Sequence, residues 1–225
     1  MLTLSQSLFQ LDADDPLAAV LDTALEPWVW LAHIGQYIET LGRSTDCQLL
    51  PQGCTGGLEV LGPVWMAPGV TLPPYGSLQG PCYLGPQTQL RPGVLIRGHV
   101  ISGKGCVLGH ACEYKNAILL NDVQTPHYNY VGDSVLGSCS HLAAGAILAN
   151  LRLDEQPVWA STPQGRVDTG RRKCGSFLGD EAQVGCNAVL QPGTVLGRGA
   201  VVFPLVAFAG YLPPGERARR PGRLG

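Results

Sequence analysis

Between residues 58 and 202, aliphatic side chains recur six positions apart, and that period excludes most folds open to a chain of 225 residues. The runs are Leu58, Val64 and Val70; then, after a two-residue slip, Leu78, Leu84, Leu90 and Ile96, with Leu108 again in phase; then Leu136, Leu142 and Leu148; and last Leu178, Val184, Leu190, Leu196 and Val202. Four positions after such residues stand small or β-branched ones: Cys82, Thr88, Val94, Val100, Cys112, Ser140, Ala146, Ala182, Ala188, Thr194 and Ala200. An α-helix repeats near 3.6 residues and a half-buried strand at 2. A six-residue unit with one large and one small inward slot fits a short flat strand plus a turn, three of which close a triangular coil. The fold expected is an all-β solenoid, a left-handed parallel β-helix of hexapeptide repeats, with about six coils of about 18 residues. Each coil would cover its neighbour's inward aliphatics, so stability becomes a nearest-neighbour sum.

Composition agrees with many short strands and tight turns: 30 glycines and 18 prolines accompany 45% hydrophobic residues. That apolar fraction is too high for a disordered chain. The net charge of -2 gives no broad nucleic-acid footprint. No apolar run approaches the roughly 18 residues of a membrane span. The N-terminus lacks the basic and apolar regions of a signal peptide, so the expected location is cytoplasmic and the eight cysteines are expected to be reduced.

Residues 1–57 read as an N-terminal helical cap and linker. Leu17, Val20, Leu21, Leu25, Trp28, Leu31, Ile34, Ile38 and Leu41 form a helical stripe, with Asp15 as N-cap, Pro16 at the first position and Gly42 as a stop. Pro27 should kink or divide it. The solenoid is expected over 58–210, and 211–225 as a basic tail carrying Arg217, Arg219, Arg220 and Arg223. The helical segment and the FAGYLPPG stretch are expected to cover the open coil ends. Two stretches, 121–130 and 149–177, leave the register and are expected to project as loops, where function concentrates in a solenoid.

The phrases LRPG, EYKNA, PHYNYVGDS, ANLRLD and RVDTGRRKCGSFLGD lie in that order along the chain. Over about residues 60–205 they resemble the C-terminal acetyltransferase domain of bifunctional sugar-1-phosphate nucleotidyltransferase/acetyltransferases, the N-acetylglucosamine-1-phosphate uridyltransferase type, among the hexapeptide-repeat acyltransferases. The resemblance implies an acyl-CoA-dependent N-acetyltransferase using acetyl-CoA, or another acyl-CoA, on an amino-sugar 1-phosphate. His127 matches the catalytic base, and imidazole titrates near neutrality as that role requires. Ala144 matches the residue whose backbone N–H faces the developing oxyanion. Arg91, Lys115 and Lys173 match the cations on the acceptor phosphate, and Tyr130 and Asn150 match its hydrogen-bonding contacts. His141 stands where the family commonly has an acceptor-side asparagine, and Ala143 replaces a glycine. The resemblance also implies a homotrimer with each site between prisms. No Gly-rich nucleotide-binding loop stands in the sequence ahead of the repeats, and a separate nucleotidyltransferase is an expected partner.

Other readings keep the fold: a longer-chain or O-acyltransferase on a nucleotide sugar, of the lipid A type, or a non-catalytic sugar-phosphate-binding subunit. A zinc hydrolase needs three converging histidines, and the spacing of His33, His99, His110, His127 and His141 offers no familiar ligand pair, so no metal is expected.

Overall fold

A computed structural model describes residues 2–43 and 46–219. The chain is the left-handed parallel β-helix that the repeat implies, with three sheets running the length of a triangular prism. The first and second faces each carry nine strands, of which the N-terminal one joins antiparallel, and the third carries seven. Eight parallel strands on two faces exceed the six coils expected, because the repeat continues through segments where its aliphatic signal fades. One circuit runs from Gly76–Gln79 on the second face to Cys82–Leu84 on the first and Gln89–Leu90 on the third, returning with Val94–Arg97.

The eleven small-slot residues are all buried, and so are the large-slot aliphatics except Leu58 and Val70, which are partly covered. Each fully buried aliphatic contributes roughly 1.5–3 kcal/mol by leaving water. Because strands are only two to four residues long, this column of side chains, more than any single ladder, holds the prism together.

The cap is divided where proline requires. Asp15 accepts a hydrogen bond from Leu17 N–H at 2.8 Å and opens a short 3-10 helix, Pro16–Ala19, while Pro27 starts a new helix, α1, over Pro27–Gly42. Its place differs from expectation: α1 packs along the first face and does not cover a coil end. On that face the outward residues Tyr83, Ile101, Ile118, Val135, Phe177 and Val195 are apolar as well as the inward ones, so a second layer must cover them. Trp30, Ile34, Ile38 and Leu41 do so, and the Trp30 indole N–H donates to Asp22 O at 2.9 Å. The edge of the first coil is instead covered by linker strands Gln48–Leu49 and Gly53–Thr55, paired antiparallel.

Three further expectations are corrected. Residues 121–130 do not project as a loop: Gln124–His127 and Tyr130–Gly132 continue the third and second faces in parallel register. The periodicity failed there for two reasons. The inward slots hold Thr125 and Asn129, hydrogen-bonded inside the core, and the coil is 17 residues long, pairing Tyr114 with Val131, against 18 from Leu78 to Ile96. The missing residue is at the corner after Lys115, where Asn116 at φ 48° turns the chain directly into Ala117. Next, FAGYLPPG forms strands of the last coil, which reaches Arg217–Ala218 and so passes the expected boundary at 210. Arg217 pairs with Val201, and Arg219 lies over the Phe203 ring at 4.9 Å; these two arginines belong to the third face and not to a free tail, while Arg220 and Arg223 lie outside the described residues. Within 149–177 the chain does leave the prism, folding into an antiparallel hairpin of Val158–Thr162 and Gly165–Arg171, and Phe177 is already back in a strand of the first face.

Among the described residues no helix is long and apolar enough to cross a membrane. All eight cysteines are free, but Cys54, Cys139 and Cys186 are exposed.

Candidate functional site

The expected site residues fall on two edges of the second face. At the edge where the third face turns into the second, Arg91, His127 and Ala144 occupy corners of one stack, Arg91 two coils before His127 and Ala144 one coil after it. His110, which sequence reading passed over as a ligand or site residue, is the register partner of His127 one coil earlier. Its Nδ1 lies 2.6 Å from Pro92 O, which fixes Nδ1 as the protonated nitrogen, and its ring meets Tyr128 edge-on at 5.3 Å. The His127 imidazole is exposed, and its own backbone is held on both sides: His127 N–H donates to the buried Asn129 Oδ1 at 3.3 Å, and His127 O accepts from Gly145 N–H at 3.1 Å. Ala143 N–H and Gly145 N–H are both used, whereas Ala144 N–H donates to no group among the described residues. A free backbone donor one coil from an exposed imidazole is an arrangement able to receive an oxyanion.

The second edge, where the second face turns into the first, gathers Lys115, Asn150 and Lys173. There the structure adds residues to which the matched phrases gave no role: Arg97, His99, Arg171 and Arg172 line a cavity of about 590 Å³ with Lys115 and Lys173, walled on one side by Leu31 and Ala32 of α1. Its charges are largely paired. Arg97 meets Glu113, Arg172 meets Glu155 at 2.6 Å, and Lys115 and Arg171 share Asp133 at 3.4 and 3.7 Å. Lys173 forms no ion pair among the described residues. Five cations against three carboxylates leave an excess of two positive charges, a match for one phosphate dianion.

Tyr130 spans the face between these edges. A methyl group at Gly132 would meet Tyr130 Oη at 2.6 Å and Asn150 Nδ2 at 2.7 Å, so glycine is what admits the phenol beside the amide. Burial pushes the Tyr130 phenol above its ordinary pKa, and the Glu113 and Asp133 carboxylates push the same way, so the hydroxyl stays a neutral donor. Extended chain from His127 to Gly132 spans at most about 16 Å, comparable with an extended sugar phosphate and the reach of two side chains. His141 is placed apart from this set: it points out from the third face between Gln124 and Gln183, in a shallow cavity of about 210 Å³ with Ala143 and Phe203. Among the described residues no three His, Cys, Asp or Glu side chains are grouped as a metal site would require.

No family model matches the chain. It is 35% identical over 120 residues to a bifunctional sugar-1-phosphate nucleotidylyltransferase/acetyltransferase of Sulfurisphaera tokodaii, covering 53% of this chain and 28% of that protein. The putative uncharacterized acetyltransferase YaiX of Escherichia coli is 32% identical over 130 residues, 58% of this chain and 54% of its own length. The bifunctional protein GlmU of Methanococcus vannielii is 30% identical over 120 residues, 53% of this chain and 27% of its own. Among solved structures, the polySia specific acetyltransferase NeuO aligns over 74% of this chain and 85% of its own at 15% identity, with a TM-score of 0.39. The chain thus spans between about a quarter and about half of the length of these curated relatives. Over roughly half of its own length it is similar in sequence to sugar-1-phosphate nucleotidylyltransferase/acetyltransferases and to YaiX-type acetyltransferases.

Proposed function

We propose that the chain is an acyl-CoA-dependent N-acetyltransferase whose acceptor is an amino-sugar 1-phosphate. The observation that carries this reading is the division of labour across one face: an exposed imidazole and an unused backbone N–H on one edge, and a cavity with two surplus positive charges on the other. In this reading Lys115 and Lys173 hold the phosphate, Arg91, which stands on the His127 edge, reaches it from a neighbouring copy, and Tyr130 and Asn150 orient the sugar. The His127 imidazole takes a proton from the acceptor amine as the amine attacks the thioester carbonyl. The Ala144 N–H donates to the resulting oxyanion, and collapse expels the coenzyme A thiolate, which takes up a proton. Acetyl-CoA is a co-substrate here, and no metal takes part. His127 and Lys115 lie on different edges of one prism, which favours a homotrimer in which neighbouring copies close the site. The similarity to acetyltransferases supports the reaction class, and the similarity to a sugar-1-phosphate enzyme supports the acceptor class. The alternatives, a longer-chain or O-acyl transfer and a subunit that only binds sugar phosphate, draw no separate support from the geometry.

The test is thiol release from acetyl-CoA by the purified chain with glucosamine 1-phosphate or galactosamine 1-phosphate. Loss of a general base typically lowers kcat by about 100- to 10,000-fold. The expected result is turnover with one of these acceptors and that loss in His127→Ala. Full transfer by the variant would overturn the role of His127, and absence of turnover with either acceptor would overturn the acceptor class.

A further inference from the structure

Asp133 is 2% exposed, and its carboxylate is the meeting point of three separate parts of the chain. Oδ1 accepts from Asn116 Nδ2 at 2.8 Å and faces the Arg171 guanidinium at 3.7 Å. Oδ2 accepts from Asn150 Nδ2 at 2.6 Å and from Lys115 Nζ at 3.4 Å. Its backbone is engaged too, Asp133 N–H donating to Lys115 O and Asp133 O accepting from Gly175 N–H at 2.7 Å. Lys115 and Asn116 come from the preceding coil, whereas Asn150, Arg171 and Gly175 come from the two ends of the hairpin insertion.

A buried carboxylate is costly unless paired and hydrogen-bonded, and here both conditions are met by groups that would otherwise repel or rotate freely. Lys115 and Arg171 are like charges, brought side by side by the anion between them. Asn150 has an amide that two orientations fit almost equally in shape. The carboxylate selects the one with Nδ2 inward, which turns Oδ1 away from Asp133 and leaves it free to accept. Asp133 stands at φ 46° and Asn116 at φ 48°, corner positions that asparagine and aspartate tolerate. Those two corners are the ones shortened by a residue, so the 17-residue coil spacing is what stacks Asn116 beneath Asp133.

We propose that Asp133 is a positioning residue that clasps the insertion to the coil corner and so fixes Lys115, Asn150 and Arg171 as one acceptor-binding constellation. The acceptor part of this proposal rests on the function proposed above, while the clasp itself does not. The alternative is electrostatic and opposite in sign: if the cations stayed in place without Asp133, removing its charge would tighten binding of a phosphorylated acceptor.

The experiment compares wild type, Asp133→Asn and Asn116→Gly. The glycine keeps the left-handed corner, leaves the expected acceptor contacts untouched and removes one bond to Asp133 Oδ1. Hydrogen exchange needs no turnover: in Asp133→Asn the amides of 150–174 should exchange at least tenfold faster while those of 184–208 are unchanged. Unchanged exchange at 150–174 would overturn the clasp. In the thiol-release assay KM for the amino-sugar 1-phosphate should rise about tenfold in Asp133→Asn, the scale of one lost charge-assisted hydrogen bond, and about threefold in Asn116→Gly, with KM for acetyl-CoA unchanged. A merely structural role would lower the active fraction and leave both KM values alone. Either that pattern or a lower acceptor KM would overturn the positioning role. Wild type without turnover would count against the proposed function and leave the exchange result to decide the clasp.

Discussion

Gly109 lies directly beneath the coil that presents His127, and replacing it by alanine tests how rigidly that coil sets the imidazole. Gly109 is not among the residues at positive φ, so its backbone accepts alanine without strain and any effect is steric. An added Cβ would stand 2.1 Å from Pro126 C, 2.2 Å from Pro126 O and 2.3 Å from Thr125 O. Ordinary contact begins near 3.4 Å, so the 125–126 backbone must move by about 1.3 Å. Overpacking of this kind costs about 1–3 kcal/mol of stability. His127 follows Pro126 directly, and displacement of a reacting group by about 1 Å lowers a rate on the order of 100-fold. Gly199→Ala is the control, since Gly199 sits at φ 62° with nothing within 4 Å of its added Cβ. It should lose about 1–2 kcal/mol from backbone strain alone and keep its turnover. The assay pairs thermal unfolding with thiol release from acetyl-CoA. Stability losses in both variants with kcat reduced only in Gly109→Ala is the expected outcome. A Gly109→Ala protein that is destabilised yet turns over at the wild-type rate would refute the link between this coil contact and the position of His127.

Burial pushes the thiols of Cys82, Cys106 and Cys174 up to about 12, whereas Cys54 and Cys186 are exposed. Alkylation of the native protein at pH 8 should therefore modify Cys54 and Cys186 and spare the three buried thiols until unfolding, and early modification of Cys106 by mass spectrometry would contradict the packed interior. Asp180 accepts from Gln10 N–H at 2.8 Å and Ser138 N–H at 2.9 Å, tying the N-terminal segment to the prism, yet burial still holds its carboxyl above the usual value. The folded state therefore binds this proton more tightly than the unfolded chain, so the stability linked to it is complete below the unfolded pKa and is lost as pH rises through the folded one. Asp180→Asn, which imitates the protonated form, should gain in Tm relative to wild type between pH 4 and pH 7, and a Tm difference constant over that range would contradict the sign.

The six-residue period was enough to specify the prism, because a column of buried slots leaves its mark in residue type: Leu84, Leu136 and Leu196 in large slots and Cys82, Ala146 and Ala200 in small ones are all fully buried. The break at Pro27 was equally legible, since proline acts on the backbone locally. Where Thr125 and Asn129 replace apolar residues inside the core, the same signal vanished although the fold continued, because hydrogen bonds satisfy an inward polar group as well as burial satisfies leucine. The candidate site was legible only in part. Motif resemblance named His127, Lys115, Asn150 and Lys173, but not Asp133, whose partners Lys115 and Arg171 are far apart along the chain and meet only when the hairpin folds back. The sequence by itself determined the coil, its aliphatic and small inward residues, the break at Pro27 and the departure of the chain after residue 149. Only the tertiary structure decided that α1 lies on the first face, that residues 121–130 stay in register, and that the site residues divide between two edges of one face, since these follow from stacking and from contacts between segments that no local pattern records.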